Sequence, residues 1–268
     1  MSQTTHAAFR ERYGPWALVA GASEGLGAEF AAQLAARGLN LLLIARRQEL
    51  LDQLRERLAR EYAVEVRTLA LDLAREDLAS VVTGATSDLE VGLLVYNAAV
   101  SMIGPYFETT LEDHLREIAV NCRAPMTLAY ILGLPMLKRG RGGILLMSSM
   151  SGSQGTALVV NYAATKAYNR LLAEGLWDEL RGKGVDVVAS CPASVSTPGY
   201  LTSSPRGSMS ALAPREVVTD ALNALGKGPV TVPGWPYRLA NFFMQRLLPH
   251  KSAIKLISIA TRNMYEKR

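Results

Sequence analysis

Tyr162 and Lys166 stand four positions apart in the run Asn161-Tyr162-Ala163-Ala164-Thr165-Lys166. On a helix, positions i and i+4 share a face. An ammonium held near a phenol favours the phenolate and lowers its pKa from about 10. A tyrosine so placed can serve as a general acid or base near neutral pH. Far upstream, Gly21-Ala22-Ser23-Glu24-Gly25-Leu26-Gly27 follows a strand-like run and opens a helix-like one. Glycines at such a junction allow a tight turn and let a pyrophosphate approach the backbone at the helix N-terminus. The spacing is Gly-x-x-x-Gly-x-Gly, not the Gly-x-Gly-x-x-Gly of the common dinucleotide fingerprint.

These residues need a scaffold, and the hydrophobic pattern supplies one. Continuous apolar runs at 16–20, 39–45, 64–71, 91–96, 144–147 and 185–189 read as strands. Helix-like segments at 28–37, 48–62, 111–138 and 161–181 alternate with them. Unbroken rather than alternating apolar runs suit parallel strands covered on both faces. The expected fold is α/β: a single Rossmann-type doubly wound parallel sheet, helices on both faces and a C-terminal helical extension. We expect one oxidoreductase domain spanning 1–268, with a substrate lid at 194–210 and the extension at 233–268.

Ligands of such sheets bind beyond the carboxyl ends of the strands. Asp72-Leu73 closes the third strand, Asn97-Ala98-Ala99 the fourth and Ser148-Ser149 the fifth, and Asn121 lies inside the long helix before the fifth. Any one of these could be a cap or turn residue; together they give one edge a run of small and polar groups. A NAD site places an acid about 20 residues after the glycine loop. Here Ile44-Ala45-Arg46-Arg47 occupies that place with no acid. An arginine fork suits a dianionic 2′-phosphate, so NADP is the expected cofactor. Glu24 inside the loop adds no attraction for a phosphate. Tyr200, Leu201 and Met209 in the expected lid, with Met150 and Leu158 near the fifth strand, suggest a fairly apolar alcohol or ketone. Core packing would explain the same residue types.

Of the 268 residues, 49% are hydrophobic and 20% charged, enough for a large core, and the net charge is +5. No run of like charges suggests a nucleic-acid partner. Cys122 and Cys191 form no Cys-x-x-Cys and read as buried thiols of a reducing compartment. His6, His114 and His250 lack metal-ligand spacing, so no metal is expected. Residues 1–10 lack the apolar core of a signal peptide, and no 18-residue apolar run exists, so a cytoplasmic location is expected. In the extension, Pro249 separates two amphipathic stretches, 237–248 and 251–264. The favoured reading is a helix pair packed on the body or a partner subunit. The other is a basic, Phe-rich interfacial anchor toward a membrane or lipid.

With these residues collected, the chain resembles the short-chain dehydrogenase/reductase family from about Trp16 to Pro198. The glycine loop is similar to its Thr-Gly-x-x-x-Gly-x-Gly, with Ala20 for Thr. Asn97-Ala98-Ala99 is similar to its Asn-Asn-Ala-Gly, with Tyr96 and Ala99 at the two differing positions. Asn121, Ser149, Tyr162 and Lys166 match its catalytic tetrad, Ser149 rather than Ser148 having the spacing to Tyr162. Cys191-Pro192-Ala193-Ser194-Val195-Ser196-Thr197 resembles Pro-Gly-x-x-x-Thr with Ala193 for Gly. The resemblance implies hydride transfer between a carbonyl and NADP, with Tyr162 as proton donor and Ser149 on the carbonyl oxygen. It also implies that Lys166 holds the nicotinamide ribose, that Asn121 holds a relay water, and that Pro192, Val195 and Thr197 lie against the nicotinamide. The Arg12-Tyr13-Gly14-Pro15-Trp16 opening and the Ala-Ser-Glu-Gly loop further resemble bacterial NADP-dependent hydroxysteroid dehydrogenases acting on bile-acid-like substrates. The expected assembly is a homodimer or homotetramer. Two other readings compete, a non-catalytic NADP-binding regulator and a peripheral membrane protein anchored by its tail.

Overall fold

The computed structural model describes residues 3–203 and 211–265. Among them, seven strands form one parallel sheet: β1 (Trp16–Ala20), β2 (Asn40–Ala45), β3 (Val66–Ala70), β4 (Val91–Tyr96), β5 (Gly142–Met147), β6 (Val185–Ser190) and β7 (Val230–Thr231). Their order is β3-β2-β1-β4-β5-β6-β7. The winding direction reverses between β1 and β4, and such a switch point opens a crevice beyond the carboxyl ends of the two strands.

Successive strand residues point to opposite faces, and here both faces are covered. On one side, Ala17, Val19, Leu41, Leu43, Leu93 and Val95 meet Phe30 and Leu34 of α2 (Gly25–Ala35), Leu51 and Leu58 of α3 (Gln48–Glu61), and Val217 and Val218 of α9 (Pro214–Ala224). On the other, Leu18, Ala20, Leu42, Ile44, Leu94 and Tyr96 meet Leu78 and Val82 of α4 (Leu78–Ala85), Leu128 and Leu132 of α6 (Ala124–Arg139), and Ala173 of α7 (Val160–Leu180). Each fully buried Leu or Ile contributes about 1.5–3 kcal/mol. Two-sided burial is why the strands read as unbroken apolar runs. α1 (Gln3–Tyr13) precedes β1, and its Tyr13 hydroxyl donates to Asp186 at 2.7 Å.

The expected helix 111–138 is three pieces. α5 (Leu111–Ile118) runs into a π-helical turn, Ala119–Arg123, before α6 begins. The Ala124 N–H bonds the Ala119 carbonyl, five residues back. Pro125 has no N–H to give the Asn121 carbonyl four residues back, so the α-ladder breaks there. Neither β7, whose two residues are too few to show a period, nor α9 was expected from sequence, although Val217, Val218, Ala221 and Leu222 stand there at helical spacing behind Pro214. The extension forms α10 (Trp235–Arg246) and α11 (His250–Tyr265), with Pro249 between them. Of the expected lid, α8 (Pro198–Ser203) is helical, whereas residues 204–210, Met209 among them, lie outside the described residues. No helix among the described residues is long and apolar enough to cross a membrane.

Candidate active site

The glycine loop lies between β1 and α2, pressed against the end of β4. Gly21 has φ +81°, and a Cβ there would come within 2.6 Å of the Ala98 Cα. Asn97 Nδ2 donates to the Gly21 carbonyl at 2.9 Å, and the Asn97 and Ala98 N–H groups both bond the Ala20 carbonyl. The two strand ends are thus laced into one floor. Tyr96 is fully buried, and its hydroxyl donates to the Val120 carbonyl. It ties β4 to the π turn beside Asn121.

A crevice beyond these ends is lined by Gly21, Ser23, Glu24, Gly25, Leu26, Arg46, Arg47, Asp72, Leu73, Asn97, Ala98, Ala99 and Thr197, all expected from sequence. Five expected cofactor contacts do not line it: Tyr162 and Lys166, which stand beside it, and Gly27, Val195 and Pro192. Gly27 is buried under the loop. The Val195 side chain packs into the core, leaving only its backbone for a ligand. Pro192 lends its carbonyl to the Met150 N–H at 3.0 Å. Arg116, not foreseen, joins the lining and donates to Asp72 at 2.7 Å. Burial disfavours the Asp72 carboxylate, but the Ala74 N–H and the Arg116 guanidinium outweigh it and hold its pKa below the ordinary value. Arg47 pairs with Glu24 at 2.8 Å and donates to Ser23 Oγ at 3.3 Å. Arg46 makes no ion pair among the described residues.

At the end of β5 the two serines take different duties. Ser148 Oγ donates to the Lys166 carbonyl at 2.6 Å and is buried. Ser149 caps a short 3₁₀ turn, Met150–Ser153, where its hydroxyl accepts from the Ser151 N–H at 3.2 Å and stands near that of Tyr162. The turn packs on α7 through Gly152, where a Cβ would sit 2.6 Å from the Ala167 nitrogen. Lys166 is buried, donates to the Met147 carbonyl at 2.8 Å and lies 5.5 Å from the Tyr162 ring centroid. The expected depression of the phenol pKa by Lys166 does not hold. Burial pushes the Tyr162 pKa up, the nearby Tyr265 adds to this, and the neighbouring Ser149 hydroxyl opposes it. The Lys166 ammonium points at a backbone carbonyl instead of the hydroxyl, and burial lowers its own pKa to about 8.

Asn121 locks the junction of three elements. Its Oδ1 accepts from the Val100 N–H at 2.8 Å, and its Nδ2 donates to the Val100 carbonyl at 2.7 Å and to Thr165 Oγ1 at 3.0 Å. One turn earlier stands Glu117, fully buried and absent from the sequence reading. It accepts from Asn161 Nδ2 at 2.7 Å and from the Met102 N–H at 3.2 Å, and burial raises its pKa despite both bonds. The signal was available: Glu117 is four before Asn121, and Asn161 adjoins Tyr162. Glu117 therefore fixes the start of α7 and the loop after β4. Glu117→Ala would take its carboxylate partner from the half-buried Met102 N–H, at a cost of about 1–3 kcal/mol, while Asn161 Nδ2 would keep the His114 carbonyl at 3.1 Å. We expect a lower melting temperature and a kcat loss that Glu117→Gln partly restores, read by calorimetry and steady-state kinetics. A variant as stable and active as the parent would refute this role.

The helical extension borders the same region. Gln245 donates to Ser153 Oγ at 3.0 Å, the Ala157 N–H donates to Ser258 Oγ at 3.1 Å, and the Tyr200 hydroxyl lies 4.0 Å from Met264 Sδ. Leu158, next to Ala157, holds φ +66°, a strained conformation for a branched side chain. Met150 packs against the core beneath. No cluster of three or more metal-ligating side chains occurs among the described residues.

A doubly wound sheet, a glycine-built phosphate crevice at its switch point and a Ser–Tyr–Lys group beside it define a nucleotide-dependent oxidoreductase. The chain belongs to the short-chain dehydrogenase family, whose model matches residues 15–205. A 7beta-hydroxysteroid dehydrogenase of Clostridium sardiniense is 34% identical over 222 residues, covering 82% of this chain and 85% of that one. A solved 7beta-hydroxysteroid dehydrogenase structure superimposes with a TM-score of 0.88 at 29% identity, over 93% of this chain and 98% of the other. A short-chain dehydrogenase from Sphingobium yanoikuyae in complex with NADPH gives a TM-score of 0.77 at 31% identity, over 87% and 95%.

Proposed function

We propose that this protein is an NADP-dependent oxidoreductase that interconverts a ketone and a secondary alcohol on an apolar substrate such as a steroid or lipid. The observation that carries this reading is the gathering of Ser149 and Tyr162 beside buried Lys166, next to a crevice rimmed by Arg46 and Arg47. The crevice fits a dinucleotide because the N-terminus of α2, which no side chain caps, opens into it through Gly25 and Leu26 and would face a pyrophosphate. Gly21, Ser23, Gly25, Leu26 and Gly27 would hold the pyrophosphate. Arg46 and Arg47 would hold the 2′-phosphate, Asp72 and Leu73 the adenine, and Asn97, Ala98 and Ala99 the adenosine ribose side. Pro192, Val195 and Thr197 would hold the nicotinamide end. When bound, the reduced cofactor supplies a hydride.

Tyr162 stays protonated at neutral pH and gives its proton to the forming alkoxide. Ser149 donates to the carbonyl oxygen where negative charge develops. Lys166 holds the nicotinamide ribose and keeps positive charge under the Tyr162 ring. The Asn121 side chain is fully committed, so a relay water would rest on its backbone carbonyl, the group Pro125 leaves without a helical partner.

The relatives' names bring hydroxysteroids forward as the first substrates to test. Screening NADPH oxidation over steroid, acyl and aromatic ketones is expected to find the highest kcat/KM among bulky apolar ketones. Turnover of none, with NADPH still bound, would favour a cofactor-binding regulator. Exposed Leu111, Leu115, Tyr130, Leu134 and Leu171 on α5, α6 and α7 form an apolar surface suited to a second copy of the chain. We assign the protein as a homo-oligomer, measurable by light scattering. Cys122 and Cys191 are free thiols, which accords with a cytoplasmic location.

A further inference from the structure

α10 lies on the body yet leaves most of its large apolar side chains in water. A surface helix normally turns its apolar stripe to the core and its polar side to water. Here Tyr237 packs against the core, but most of the contacts to the body are polar. Gln245 and Asn241 meet Ser153, and Arg238 donates to the Val232 carbonyl and pairs with Asp220. Trp235, Leu239, Phe242 and Phe243, with Leu247 just past the helix end, are exposed by 75%, 49%, 55%, 47% and 61%. No residue of α10 is buried. Next to it, α11 buries Ala253 and Thr261 but exposes Leu256 and Ile259.

Charge identifies what would cover this face. Between Asp220 and Glu266 the sequence holds no acidic residue. Lys227, Arg246, Lys251 and Lys255 make no ion pair among the described residues. Lys227 and Arg246 line one cleft with Phe242, so cation and aromatic edge meet at one place. A second copy would bring the same positive charge against itself, whereas an anionic surface would complement it. Apolar aromatics flanked by Lys and Arg, on helices too short and too polar to span, fit the boundary of a bilayer.

We propose that α10 and α11 form a docking surface that seats the protein on an anionic lipid bilayer, with Trp235 and Phe242 entering the acyl boundary and Arg246, Lys251 and Lys255 meeting headgroup phosphates. This rests on the placement of the two helices and is independent of the catalytic reading.

The test is flotation of the full-length protein with vesicles of phosphatidylcholine, alone and with phosphatidylglycerol. Binding is expected only to the anionic vesicles and should fall as salt screens the charges. Lys251→Gln and Lys255→Gln should each weaken it about 5-fold. Trp235→Ser with Phe242→Ser should abolish it, with the melting temperature unchanged. Four outcomes would overturn the proposal: no binding to anionic vesicles, equal binding to neutral ones, binding unchanged in the Trp235/Phe242 variant, or a fall in that variant's mass by light scattering without vesicles. The last would mean that a second copy covers the face.

Discussion

Tyr162→Phe is expected to keep cofactor affinity and lose about 10²–10⁴ in turnover, the usual worth of a positioned proton transfer. The ring lies over the Lys166 ammonium and stays in place in the Phe variant, so the packing changes little. What disappears is one hydroxyl, the group beside Ser149. Burial raises the Tyr162 pKa, so the free protein carries the proton that reduction consumes. Titration calorimetry with NADPH reports the first half of the expectation, and kcat under conditions where chemistry limits the rate reports the second. A Phe variant with more than half the parental turnover would remove Tyr162 from the mechanism.

Replacing Arg46 and Arg47 together by Ala should weaken NADPH by tenfold or more and NADH far less. A charge-assisted hydrogen bond contributes roughly 1.5–3 kcal/mol, and only NADPH carries the 2′-phosphate that could receive it. The structure adds a division of labour. Arg47 already pairs with Glu24, but both side chains are about half exposed, and such a pair contributes little. It can exchange for a phosphate at small cost. Arg46 makes no ion pair among the described residues and feels Asp72 only at longer range, so Arg46→Ala alone should cause most of the loss. Dissociation constants for both cofactors in all variants decide it. An equal change for NADPH and NADH would mean the arginines do not read the 2′-phosphate.

The sequence by itself determined the parallel sheet through β6, most plainly in central strands buried on both faces, which are apolar at nearly every position, as Leu41, Leu42, Leu43 and Ile44 are, and less so at the half-exposed edge strand β3 with Arg67 and Thr68. It also determined the glycine loop and the Tyr162/Lys166 pairing, since a tight turn and an i, i+4 face are local facts of chain geometry. It placed the break in the extension, because Pro249 cannot continue a helix. Tertiary structure decided whatever depends on partners distant in the chain. Glu117 looked like one more charge on an amphipathic helix until Asn161 and Met102 closed over it. Ser148 and Ser149 were told apart in the sequence only by spacing to Tyr162 within the family pattern, and what Ser148 does, donating to the Lys166 carbonyl, came from the structure. Lys166, expected to depress the phenol, instead donates to Met147, because a buried ammonium must find an acceptor and the nearest is the end of β5. The outward turn of Trp235 and Phe242 could not be read from α10 alone: its apolar stripe is the same whether it faces core or solvent, and the bonds of Gln245, Asn241 and Arg238 to the body chose the side.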